Sequence, residues 1–103
     1  MAPLRETDGE TCEIRWWGSL AGSEFYARAT AADGSPFEAG RSKTFEWHGR
    51  SAPAERDEIV AAHAALVRDL VGAGWEPAGR GEAWYEHRFR RAPVAAPGAG
   101  PRA

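Results

Sequence analysis

Helical periodicity is confined to a single stretch of this 103-residue sequence, and one helix limits what the rest of the chain can bury. In "PAERDEIVAAHAALVRDLV", from Pro53 to about Val71, Ile59, Ala62, Leu66 and Leu70 recur on one stripe that His63 and Val67 widen. The ends agree with the interior. Ser51 or Ala52 stands where a cap is needed, Pro53 suits the first turn, and Glu55, Asp57 and Glu58 sit where the helix dipole favours anions, with Arg68 near the far end. Gly72 or Gly74 supplies a left-handed stop, and Trp75 just beyond can fold back onto the last turn.

Around the helix the sequence alternates with period two. "CEIRWWG" opposes Cys12, Ile14 and Trp16 to Glu13, Arg15 and Trp17, and "EFYARAT" opposes Phe25, Ala27 and Ala29 to Glu24, Tyr26 and Arg28. The linker "SLAGS" is short enough to make these two a hairpin. "AADGSPFEAGRS" carries the turn signals Asp33-Gly34 and Ser35-Pro36 and reads as a connection, after which "KTFEWHG" reads as a third strand. "EPAGRGE" reads as a turn, and "AWYEHRFRR" as the fourth strand. The expected fold is α+β, in the order β-β-β-α-β: a four-stranded, mainly antiparallel sheet with one helix packed on one face.

One helix cannot cover two faces of a sheet. If Ile14, Trp16, Phe25, Ala27, Phe45, Trp47, Tyr85, His87 and Phe89 face it, the other side carries Trp17, Tyr26 and Trp84 among Arg15, Arg28, Arg88 and Arg90 and Glu13, Glu24, Glu46 and Glu86. The phase of the fourth strand decides whether Trp84 or Tyr85 is the exposed ring. Two readings apply to that side. Its aromatics and charges can serve as cross-strand pairs that stabilise the sheet. Alternatively, Trp17, Tyr26 and Trp84 with Arg15, Arg28 and Arg88 form a docking surface, since exposed tryptophan, tyrosine and arginine are the types enriched at binding hot spots.

Composition narrows the classes. With 43% hydrophobic residues and five tryptophans the chain can build one core, which residues 12–91 are expected to form. Residues 1–11 are polar and without period, and the Pro/Gly/Ala run 92–103 has almost nothing to bury, so both are expected to be mobile ends. A net charge of -2 argues against holding nucleic acid or anionic lipid by bulk electrostatics. No stretch reads as a membrane span or a secretory signal. The single cysteine, Cys12, excludes an internal disulfide framework, so a cytoplasmic setting is the simplest expectation.

Aromatics interleaved with arginines on an open sheet are also how some single-stranded RNA binders stack bases. Four arginines opposed by four glutamates weigh against that use, because a near-neutral face gains little from counterion release. Candidate catalytic groups are sparse. Cys12, His48, His63 and His87 are scattered over the expected fold, although His63 and His87 can meet across the core. No pair has metal-ligand spacing such as CxxC, so no metal, cofactor or catalytic residue is assigned. Cys12 reads as a small buried thiol, and "GRGE" at 79–82 opens a strand where a phosphate loop would open a helix.

The run "GWEPAGRGEAWYEHRFRR", with "CEIRWWG" and "FYAR" upstream, resembles small uncharacterised proteins of high-GC bacteria. Arginine outnumbering lysine twelve to one is consistent with that coding bias. The resemblance implies no activity and assigns no site residue. The expectation is therefore a non-catalytic binding domain that contacts a protein partner or a copy of itself through the open sheet face or an edge strand. The alternative is nucleic-acid or small-ligand binding through Trp17, Tyr26, Trp84 and nearby arginines.

Overall fold

The computed structural model describes residues 9–92; residues 1–8 and 93–103, which include most of the expected mobile ends, lie outside the described residues. Strand β1 (Glu10–Ser19) and strand β2 (Gly22–Thr30) form the expected hairpin, with Ile14 opposite Ala27 and Trp16 opposite Phe25. β1 begins two residues before the expected start at Cys12. Strand β3 (Pro36–Arg41) follows, then helix α1 (Asp57–Gly72), strand β4 (Glu76–Arg80) and strand β5 (His87–Arg91). The sheet is antiparallel throughout, in the order β3-β2-β1-β5-β4. Among the described residues the class is α+β with one helix, as the sequence indicates, but the sheet has five strands where the sequence predicts four.

The third strand is "PFEAGR", not "KTFEWHG". Asp33 makes the difference, because its carboxylate accepts the Ser35 N–H at 2.9 Å and the Ser35 hydroxyl at 2.6 Å, closing a turn tight enough for residue 36 to pair at once with Thr30. Pro36 is tolerated because it opens an edge strand; Phe37 lies opposite Ala29 on the inner face, and a bulge at Ala39 resets the phase so that Gly40 also faces inward, opposite Ala27, and Arg41 lies opposite Tyr26. Gly40 is also a packing requirement: a Cβ there would come within 3.1 Å of Leu66 Cδ1, so its absence lets α1 lie close over β3.

Residues 42–56 then wrap around the end of the sheet. The Phe25 N–H that a third strand would have bonded is taken instead by the Ser42 hydroxyl at 2.9 Å, and Phe45 pairs only with Ser23. Phe45 is buried all the same, with its ring centroid 4.9 Å from that of Phe25. The helix starts at Asp57, not Pro53, because Pro53 is itself buried and its carbonyl accepts the Trp84 indole N–H at 2.9 Å. Its far end is as expected: Trp75 N–H bonds Leu70 O and Gly74 N–H bonds Val71 O, both at 3.0 Å, with Gly74 at φ +97° and Trp75 buried.

The core is the inner sheet face closed by the helix stripe. Cys12, Ile14, Phe25, Ala27, Ala29 and Phe89 meet Ile59, Ala62, Leu66 and Leu70, with Trp75 and Tyr85 filling the sides. The β4 strand was expected as a turn. All five of its residues are exposed, so it adds hydrogen bonds to β5 without adding to the core.

Candidate functional site

The sheet face away from α1 has no element packed over it among the described residues, and the strand register lays its side chains out in rows. Reading across β2, β1 and β5, Thr30, Thr11 and Arg90 form one row, and Arg28, Glu13 and Arg88 the next. Tyr26 and Arg15 follow, then Glu24 and Trp17. On the β3 side Glu38 lies opposite Arg28 and Arg41 opposite Tyr26. On the β4 side Glu76 lies opposite Arg90.

Glu13 is the organising group. Its two carboxylate oxygens accept from Arg15 Nε at 3.0 Å and Arg88 Nε at 2.9 Å, and it is much less exposed than either arginine, at 19% against 49% and 54%. Arg28 and Arg90 make no ion pair among the described residues. Arg15, Arg28, Arg88 and Arg90, with Thr11 and Thr30, line a shallow depression of about 650 Å³ whose acidic side chains are Glu13, Glu76 and, paired with Arg91 at its end, Glu10. A smaller hollow of about 360 Å³ at the other end is lined by Trp17, Tyr26, Glu24, Glu38 and Arg41, and there Arg41 holds both carboxylates. Trp17 is 52% exposed, and Leu20 at the tip of the same hairpin is 99% exposed.

Five of the six residues singled out in the sequence therefore share this face: Trp17, Tyr26, Arg15, Arg28 and Arg88. Trp84 does not. The segment between β4 and β5 is a loop, closed by Gly81 N–H to Glu86 O at 2.7 Å, and the broken alternation turns both Trp84 and Tyr85 inward. The Trp84 ring stands edge-on to Phe25 at 5.7 Å and leans on His63 at 5.2 Å. Glu86 caps that loop by accepting the Ala83 N–H at 3.1 Å, and Glu46 belongs to no named strand. The near-neutral face expected from four arginines and four glutamates is thus divided into a basic centre and an aromatic end bordered by carboxylates. The sequence does not mark Arg41, Glu38 and Glu76, because both edge strands carry the Gly and Pro signals of turns. The inward alternation of Phe37 and Ala39 after Asp33-Gly34 was the available signal for the first of them.

The remaining candidates are Cys12 and the three histidines. Cys12 is buried, and burial pushes its thiol up to about 12 against the opposing effect of Arg91, with Glu10 adding to the rise, so it is held protonated. His63 and His87 do meet, with ring centroids 4.6 Å apart. Burial lowers both below the ordinary imidazole value, and Arg80 lowers them further. His48 is exposed beside Glu46. Among the described residues no group of three or more His, Cys, Asp or Glu side chains could hold a metal ion, and no helix is long and apolar enough to cross a membrane. No known protein family, curated protein or solved structure matches this chain.

Proposed function

We propose that the chain is a small, non-catalytic interaction domain that contacts a protein partner through the open face of its sheet. The observation that carries this reading is the half-exposed Trp17 ring beside Tyr26 on a face that α1 leaves uncovered, with half-exposed arginine heads alongside. A large ring kept in water on a solvated sheet gains little for the fold and is the type of residue that dominates binding energy when a partner covers it.

The edges support the face over strand addition. β3 opens with Pro36 and is bulged, and β4 contains Pro77 and is bulged at Pro77/Gly79, so neither edge offers an uninterrupted ladder to an incoming strand. A lone buried thiol fits a reducing compartment, and a cytoplasmic setting goes with this reading. A second copy of the chain is the other protein occupant. The test is amide-shift mapping of the labelled chain against increasing concentration and against purified candidate partners. Perturbation centred on Glu13, Trp17 and Tyr26 supports the reading, and perturbation confined to α1 or β4 overturns it.

A further inference from the structure

Resting on the docking reading above, we infer that the occupant of the open face is an extended acidic segment of a partner protein, running along β1 from the arginine rows toward Trp17. Glu13 carries the argument. By accepting from the Nε atoms of Arg15 and Arg88 it fixes both guanidinium planes while leaving their terminal Nη groups outside that contact. An arginine held by its Nε keeps planar donors for a second carboxylate, so part of the entropy cost of ordering it has already been met. Arg28 and Arg90 flank this pair with no ion pair among the described residues, and the Thr11 and Thr30 hydroxyls stand in the adjoining row.

The dimensions suit a peptide. From Thr11 to Trp17 the face runs about 20 Å, the length of roughly seven extended residues, whose alternate side chains recur at about the spacing of Arg88 and Arg90 on β5. Carboxylates over the arginine rows would be followed, four to six residues on, by an apolar side chain against Trp17 and Tyr26. A nucleic-acid strand suits the face less well. Its unbroken line of phosphates would cross Glu13, and a base stacked on Trp17 would bring its phosphate toward Glu24 and Glu38. A peptide can place a neutral residue over Glu13.

Three probes titrated into the full-length labelled chain test this: a ten-residue peptide with alternating glutamates followed by leucine, the same peptide with lysine for glutamate, and an oligodeoxythymidine. The acidic peptide is expected to shift the amides of Thr11, Glu13, Arg28 and Arg88 and to weaken with added salt. Arg28→Ala and Arg90→Ala should each weaken it by roughly tenfold without changing the fold, since neither guanidinium serves an intramolecular ion pair. Glu13→Gln should weaken it several-fold, because an amide cannot accept from both Nε atoms and the two guanidinium groups lose the partner that orders them; tighter binding by this variant would show that Glu13 acts on the peptide only as an opposing charge and would overturn the inference. The inference is overturned if the oligonucleotide binds this face more tightly than the acidic peptide. It is also overturned, with the docking reading left standing, if only the lysine peptide or a second copy of the chain shifts these amides. If no probe shifts them and Trp17→Thr leaves every association intact, both fall.

Discussion

The imidazole of His63 on α1 meets that of His87 on β5 edge to face, their planes at 78° and their centroids 4.6 Å apart. His63 Nε2 lies 2.9 Å from the Tyr85 carbonyl, and the Phe25 and Trp84 rings close the other sides. Two imidazoles this close, desolvated and within the field of Arg80, are held neutral by the fold.

That arrangement makes stability depend on pH with a definite sign. Both folded-state values lie below the ordinary 6.5, so between the two the unfolded chain binds more protons than the folded one. The contribution is fully present above about pH 6.5 and is lost as pH falls through the lowered values. Urea denaturation should give a lower midpoint at pH 5.0 than at pH 7.5, and His87→Phe should flatten the difference. A midpoint that rises on acidification would mean the pair is not buried as a neutral contact.

Leu66 sits at the centre of the helix stripe, fully buried, against the space that Gly40 leaves open on β3. Leu66→Ala should destabilise the domain by about 2–5 kcal/mol, since both transfer energy and a cavity are lost. An effect within error of zero in chemical denaturation would place the wrong helix face on the sheet.

Gly74 holds the end of α1 at φ +97°, where a Cβ would be strained although it would meet only Arg91 Cδ, at an ordinary contact distance of 3.6 Å. Gly74→Ala should cost about 1 kcal/mol and leave the fold intact, whereas Gly72→Ala, at a helical position with open space, should be neutral or slightly stabilising. Equal effects at the two positions would show that the cap does not depend on the left-handed turn.

What the sequence revealed and what it hid divide along burial. Ile59, Ala62, Leu66 and Leu70 recur with the helical period because one side of α1 meets the sheet, and the alternation in β1 and β2 arises from the same burial. His63 and His87 were placed together by those two periods alone. β4 left no trace, because none of its residues is buried and periodicity reports only burial. "KTFEWHG" misleads for the converse reason: Phe45 is buried and Trp47 half-buried, but from a wrapping segment whose backbone bonds Ser23 at Phe45 and Trp47 and the Ser42 hydroxyl at Lys43, while the Trp47 indole N–H donates to the Ser51 carbonyl. Alternation records which side chains go inward, not which backbone groups pair. Trp84 was misplaced because the loop over residues 81–86 breaks the phase, so Trp84 and Tyr85 both turn to the core.

The four tryptophans nearest the sheet separate these roles in one experiment. Trp16 packs on the core, its ring lying over Gly18, the next inward position, where a Cβ would come within 2.8 Å of it. Trp84 packs on Phe25 and donates to Pro53, and Trp75 is buried beneath the Arg91 guanidinium at 4.4 Å. Replacement of Trp16, Trp75 or Trp84 by Thr should therefore lower stability, by up to about 3–5 kcal/mol for the most enclosed ring, through loss of buried aromatic contacts. Trp17 alone points from the open face, where a β-branched polar residue is well accommodated on a strand. Trp17→Thr should cost little in chemical denaturation and instead weaken association by about 2 kcal/mol or more, the scale of an aromatic hot spot. If Trp17→Thr proves as destabilising as Trp16→Thr, the ring is serving the fold and the open face loses its anchor. If it is stable and every association persists, Trp17 and Tyr26 are only cross-strand packing groups, and the arginine rows must act without them.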